Sequence, residues 1–302
     1  MNADISRRQF IVRTALGLAG AAFMPGAIQA QVIKSSFVTR LFVVHGKNIA
    51  RMLASGITAM GGWRAFIKTG KPVVLKVNAA WASTPEQGGN TNPVLVEEFI
   101  RQSRAAGAGE VLMPEKPCSP AKEAFALSGI GEVAARGGAR LYVPDKSDFR
   151  KIAIPQGVSM KDAEVVDAVL ESDCLVNMPV AKSHGGSGLT LSMKNWMGSV
   201  NDRGFWHRNN LHQCIADCGT VIKPHLIILD ATRIMLTKGP RGPGKLSHPD
   251  QIIFGTDPVA VDAYAATLFE KQPFSVKYIK LAHDMGIGCG DLSLVKIDHI
   301  QV

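Results

Sequence analysis

The chain has 302 residues and a formal net charge of +9, with 46% hydrophobic residues, enough to build a large core. Its Lys and Arg residues are dispersed, with no basic block interleaved with aromatics, which argues against a nucleic-acid partner. Five cysteines, at 118, 174, 214, 218 and 289, are an odd number without the spacing of a disulfide-stapled module.

Residues 1–30 read as a twin-arginine signal peptide. Arg7 and Arg8 are followed by Phe10 and Arg13, then an apolar run from Ala15 to Phe23, Pro25, and a cleavage point after Ala30. That run is too short for the ~20 residues of a membrane span, and no later segment is long and apolar enough, so no stable membrane insertion is expected. The expected route is the twin-arginine translocation machinery, and the expected destination the periplasm or another exported location. Residues 31–302 read as a single α/β domain carrying the remaining charge of about +7.

In chain order, strand-like runs alternate with helical ones. RLFVVHG (40–46) precedes a helix over 48–62, and KPVVLKVN (71–78) is a buried strand. Asn92 as N-cap and Pro93 at the first helical position open a helix over 92–108. EVLMP (110–114), two short helices and ARLYVP (139–144) follow. Further strands are expected in ESDCLVNMP (171–179), PHLIILD (224–230) and QIIFG (251–255), and Asp257 with Pro258 starts another helix. This alternation predicts a mainly parallel sheet flanked by helices, with a small lobe or edge hairpin near 146–170.

In such sheets ligands gather beyond the carboxyl ends of the strands. Asn78 follows the run containing Lys76; Pro179, Lys182 and His184 follow 174–178; Asp230 closes 226–229. These strand ends are expected to share a cleft. KSHGGSG (182–188) reads as a glycine-rich loop whose N–H groups approach a ligand, with Lys182, Lys194 and Asn195 suited to an anion and His184 to proton or metal chemistry.

His207, His212, Cys214 and Cys218 have the spacing H-x4-H-x-C-x3-C, of a type that holds a transition metal or an iron–sulfur centre. Leu211, Cys214, Ile215, Cys218 and Ile222 also share one apolar helical face, and for the cysteines this burial reading weighs more. Cys174 or Cys289 could complete a site, and His207 is the better functional candidate. GPRGPGK (239–245) matches the phosphate-loop spacing, but Leu246 stands where Ser or Thr would bind magnesium and no helix follows. It reads as a lid or site-lining loop with Arg241 facing solvent or an anionic ligand. Asp257 is explained as a cap and Asp262 as a helix position. The chain has no nucleophile elbow, no H-E-x-x-H, and no G-x-G-x-x-G after the first strand.

VVLKVN with TNPVLVEEFI, LVNMPVAKSH with LTLSMKNWMG, FWH, and GTDPVAVDAYAA resemble the family called domain of unknown function 362, over roughly residues 37–298. Its members often carry ferredoxin-like cysteine motifs, so the resemblance implies cluster or redox chemistry. This chain departs from the pattern: it has no C-x-x-C-x-x-C run. The leading expectation is an exported, metal- or cluster-linked, redox-related enzyme acting on an anionic small molecule. In it Lys182, His184, Lys194 and His207 act, Lys76, Asn78, Asn195, Asp230 and Arg241 bind, and His207, Cys214 and Cys218 hold metal. The alternatives are an anion- or metal-binding accessory protein without turnover, and a metal-independent enzyme using Lys and His as acid and base.

Overall fold

A computed structural model describes residues 39–302; the expected signal peptide lies outside the described residues. The strands are β1 (Arg40–His45), β2 (Val73–Val77), β3 (Val111–Pro114), β4 (Arg140–Tyr142), β5 (Phe149–Ala153), β6 (Asp162–Val166), β7 (Leu175–Met178), β8 (Val180–His184), β9 (Gly188–Thr190), β10 (Leu226–Met235), β11 (Leu246–Ser247), β12 (Gln251–Gly255) and β13 (Lys296–Gln301). The main sheet runs β13-β1-β12-β10-β7-β2-β3-β4. Neighbours along it are parallel except at β12, which is antiparallel to both β1 and β10. The expected α/β architecture is therefore present, with one reversed strand inside it.

Alternation along the strands sends successive side chains to opposite faces of the sheet. Val73, Leu75 and Val77 join Val176, Met178, Ile228 and Phe254 on one face, against the helices Ile49–Ala59, Pro93–Ala105 and Ile130–Arg136. Val74, Leu175, Ile227, Leu229 and Ile253 occupy the other, against the helices Leu211–Gly219, Pro258–Thr267 and Lys277–Asp284. Burying each such side chain stabilises the fold by about 1.5–3 kcal/mol. Gly56 shows how closely one layer sits: a Cβ there would fall 2.2 Å from the Phe254 ring.

The sequence signals are realised where local chemistry is decisive. The Asn92 side chain accepts from Val94 N at 3.0 Å ahead of Pro93, and Asp257 accepts from Val259 N and Ala260 N ahead of Pro258. The hairpin β5–β6 forms its own two-stranded antiparallel sheet at the place expected for a small lobe. Asp217 fastens the turn inside that hairpin, its carboxylate accepting from Val158 N, Ser159 N and Met160 N at 2.7–3.0 Å. No helix among the described residues is long and apolar enough to cross a membrane.

Candidate functional site

On the face of Val74 and Leu175, the carboxyl ends of β2 and β7 change from apolar to polar: Lys76 lies in register with Asn177. Both are fully buried. Lys76 pairs with Glu115, just beyond β3, at 2.8 Å, and Ala79 N donates to the same carboxylate oxygen at 3.0 Å. Lys76 Nζ also donates to Val77 O. Gly198 lets the backbone pass over this pair, since a Cβ there would fall 2.1 Å from Glu115 Oε1.

The short helix Ser192–Asn195 is fixed over these strand ends by Asp262, whose buried carboxylate accepts from Ser192 N at 2.7 Å and Met193 N at 3.0 Å. Asn195 then becomes a junction. Its Nδ2 donates to Asn177 Oδ1 at 2.8 Å and to the carbonyls of Lys76 and Val77 at 3.2 and 3.3 Å. Its Oδ1 accepts from Asn78 Nδ2 at 3.0 Å. Asn78 Oδ1 in turn accepts from Lys182 Nζ at 2.9 Å, and Lys182 also donates to Gly89 O.

Above this network opens a cavity of about 310 Å³, lined by Asn78, Glu115, Lys182, Thr190, Lys194 and Asn195, with Lys116, Arg203, His184, His207 and Cys118 also on its wall. Burial, reinforced by the Lys194 charge, lowers Lys182 to about 7, and burial lowers Lys194 to about 8. Lys194 is also the leading neighbouring charge on His184 and His207. Its Nζ donates to the thioether of Met197 at 3.3 Å. Thr190 is buried and its hydroxyl has no hydrogen-bond partner.

The His184 ring is held in one tautomer. Gly186 N and Ser187 N both donate to Nδ1, at 3.0 and 3.2 Å, so the neutral ring carries its proton on Nε2. Burial first, then Lys194, His207 and Lys182, push its value down to about 3. His184 is thus a neutral Nε2–H donor at physiological pH, which corrects its expected role as base or metal ligand. The glycine-rich loop is likewise corrected: it is the turn between β8 and β9, and those two N–H groups serve His184 rather than a ligand. The His184 and His207 rings stack with centroids 6.3 Å apart.

Residues 73–267 match the family model described as Domain of unknown function (DUF362). The chain belongs to this family. Every cavity-lining residue, from Asn78 to Pro240, falls inside the span matched to DUF362. The chain is 26% identical over 274 residues to the thylakoid-associated protein sll1697 of Synechocystis sp., covering 85% of this chain and 81% of that one. Among solved structures it is similar to a Thermotoga maritima protein from a structural genomics programme (TM-score 0.45, 10% identity, 78% of this chain and 59% of that one). It is also similar to the lactate racemase apoprotein of Thermoanaerobacterium thermosaccharolyticum (TM-score 0.43, 12% identity, 69% and 54%). The chain spans a little over half the length of these two structures.

Of the site residues expected from sequence in this DUF362 chain, Asn78, Lys182, His184, Lys194, Asn195 and His207 line the cavity, and Lys76 supports it through Glu115. Asp230 does not line it. β10 continues past Asp230 to Met235, and the carboxylate is taken by Asn92 N, Thr232 N and Thr232 Oγ1 at 2.7–3.0 Å, so it fixes the start of a helix. Arg241 is exposed and off the cavity wall, where its neighbour Pro240 stands instead.

The metal set is not assembled either. Cys214 and Cys218 are fully buried in the apolar core, and His207 is on the cavity side in a separate helix, Arg203–Arg208. Burial, then Asp217, raises the Cys214 thiol to about 11 and the Cys218 thiol further. Among the described residues no group of three or more His, Cys, Asp or Glu side chains is placed to hold a metal ion. These residues do not fit an iron–sulfur cluster or a transition-metal centre. Sequence reading missed Glu115, Lys116, Cys118, Thr190 and Arg203. The first two follow the run EVLMP, and the rule applied to the other strand ends would have found them.

Proposed function

We propose that this protein is an enzyme acting on a small anionic molecule, a carboxylate or phosphate compound, held in the cavity between Lys182 and Lys194. One observation carries the reading. The wall presents four cationic side chains, Lys116, Lys182, Lys194 and Arg203, against one carboxylate, Glu115, which is already paired with Lys76. Lys116 and Arg203 are half-buried and donate to neutral oxygens of Asn201, Lys116 and Pro117, and Lys182 and Lys194 are buried without a carboxylate partner, so an anion is the complement this wall calls for. Thr190, whose buried hydroxyl has no partner, and the neutral His184 belong to the same wall.

The chemistry supported is proton transfer by lysine. With values near 7 and 8, Lys182 and Lys194 exchange protons at physiological pH, which an ordinary lysine does not. Lys182 is tethered by two oxygen acceptors, whereas Lys194 faces only a sulfur and is the one free to reach a ligand as acid or base. This favours the metal-independent alternative, with lysine in place of His184 as acid and base.

The test is ligand-dependent thermal stabilisation by sulfate, phosphate, acetate and pyruvate. Saturable stabilisation is expected, about 2.7 kcal/mol at a hundredfold excess over Kd, and it should disappear in Lys194→Met. Equal response in wild type and Lys194→Met, or no response to any anion, refutes the reading.

A further inference from the structure

We infer that Lys194 is the covalent attachment point for a small oxo acid, forming an imine with its carbonyl carbon while the carboxylate rests on the cationic wall. The inference rests on the anion-binding reading above and goes one step further, naming the electrophile and the nucleophile.

The geometry separates the three buried lysines by what their ammonium groups touch. Lys76 is neutralised by Glu115 and also donates to Val77 O. Lys182 donates to Asn78 Oδ1 and Gly89 O. Both have their donors engaged by oxygen and their position fixed. Lys194, also more than nine-tenths buried, has only the Met197 thioether, a weak acceptor that does little to hold a proton on nitrogen. It is the amine whose lone pair can be released into the cavity. Burial lowers its value to near 8; Lys182 is lowered further, but its two oxygen acceptors hold its amine in place.

A plain inorganic anion would satisfy the charge but not use this amine. An oxo acid uses both features. Its carboxylate answers the excess of Lys116, Lys182 and Arg203, and Thr190, whose buried hydroxyl has no partner, and His184, a neutral donor, belong to the same wall. The space, about 310 Å³, suits a small molecule of this kind.

The step balances without oxidant or metal. The neutral Nζ attacks the carbonyl carbon, a C–N bond forms as the C=O π bond breaks, and one of the two nitrogen protons passes to the carbonyl oxygen to give a carbinolamine. The C–O bond then breaks, the hydroxyl leaving as water with a proton from solvent at the cavity mouth, where exposed His207 and Cys118 stand. The nitrogen keeps one proton in the resulting iminium. No group changes oxidation state.

The experiment is reductive trapping on the full chain. The protein is incubated with pyruvate, glyoxylate or 2-oxoglutarate and cyanoborohydride, and intact mass and peptide mapping locate any secondary amine. A single adduct on the peptide carrying Lys194 is expected, unchanged in the exposed-lysine control Lys122→Arg and lost in both Lys194→Arg and Lys194→Met. Lys194→Arg keeps the charge, so it should retain stabilisation by sulfate while losing the adduct, and that retained response shows the variant is folded. Sulfate stabilisation of wild type without an adduct, or an adduct on other lysines that persists in Lys194→Arg, overturns the imine and leaves the anion reading standing. Absence of both stabilisation and adduct overturns the two together.

Discussion

Asn78 Nδ2 donates to Asn195 Oδ1 at 3.0 Å, joining residues 117 positions apart in the chain. Through this one amide pair the end of β2 is tied to the helix Ser192–Asn195, and through the other face of Asn78 to Lys182. The cavity floor is therefore a single hydrogen-bonded unit. Replacing Asn195 by Leu, of similar size, strips partners from Asn78, Asn177 and two strand carbonyls. We expect a loss of about 3 kcal/mol or more, at roughly 1–3 kcal/mol per orphaned group. Asn78→Leu should cost less, and the double variant should be non-additive in urea unfolding because the two share a bond.

The Lys76–Glu115 pair makes a sharper prediction. Lys76→Met leaves a buried carboxylate uncompensated and should cost about 3–5 kcal/mol. Adding Glu115→Leu should recover most of that loss, measured by the shift in urea midpoint. If the double variant is as unstable as the single, the pair is not the isolated unit that the geometry describes.

Thr190→Val replaces a buried hydroxyl that has no partner with a methyl group of the same shape. Stability should stay level or rise by up to about 1–3 kcal/mol, the penalty for an unsatisfied buried polar group. Stabilisation by sulfate should weaken in the same variant. A thermal melt with and without sulfate reads both effects, and a hydroxyl with a purely structural role would move stability in the opposite direction.

Two lysines set the pH response. Lys182, facing Lys194, Lys76, Glu115 and Cys118, lies near 7, and Lys194, facing Cys118 and Arg203, lies near 8; both sit below the ordinary 10.5 of an unfolded chain. From about pH 7 to 8.5 the unfolded state binds more protons, so the ligand-free protein should become more stable as pH rises; above that range the raised thiols of Cys174, Cys214 and Cys218 oppose the trend. Sulfate stays dianionic across this range, and its stabilisation should fall over the same interval as the two ammonium groups are lost. Melting curves from pH 6 to pH 10, with and without sulfate, test the two opposite slopes.

Thiol reactivity distinguishes the cavity from the core. Cys118 is exposed on the cavity wall, whereas Cys174, Cys214 and Cys218 are buried, with burial raising Cys174 and Cys214 to about 11. A thiol-specific disulfide reagent should modify Cys118 in the native protein, more slowly with sulfate bound, and reach the other three only on unfolding. Cys214→Ala with Cys218→Ala should lower stability through the cavities created, while leaving sulfate binding intact.

Much of this architecture was legible because it depends on local chemistry. Asn92–Pro93 and Asp257–Pro258 start helices by satisfying backbone N–H groups within three residues, and β2, β7 and β12 are short, largely apolar runs between turn signals. The strand-end rule also placed Asn78 and Lys182 in one cavity. It failed at Asp230, because PHLIILD reads as a complete strand although β10 runs on to Met235. For the Cys214–Cys218 pair the burial reading, which weighed more, is the one the core realises; i,i+4 spacing alone gives the same helical face whether that face meets a ligand or a core.

Residue types and spacing by themselves determined the layers, the caps and the concentration of lysine and amide at strand ends, since each depends on neighbours a few positions away. Only the tertiary structure decided which lysine is paired and which is tethered, because Glu115, Asn78 and Gly89 reach Lys76 and Lys182 from segments whose proximity the sheet order creates, whereas Lys194 meets only Met197, three residues along its own segment. The charge state of a buried amine is set first by its removal from water and then by the charges around it, and both are assembled by the fold.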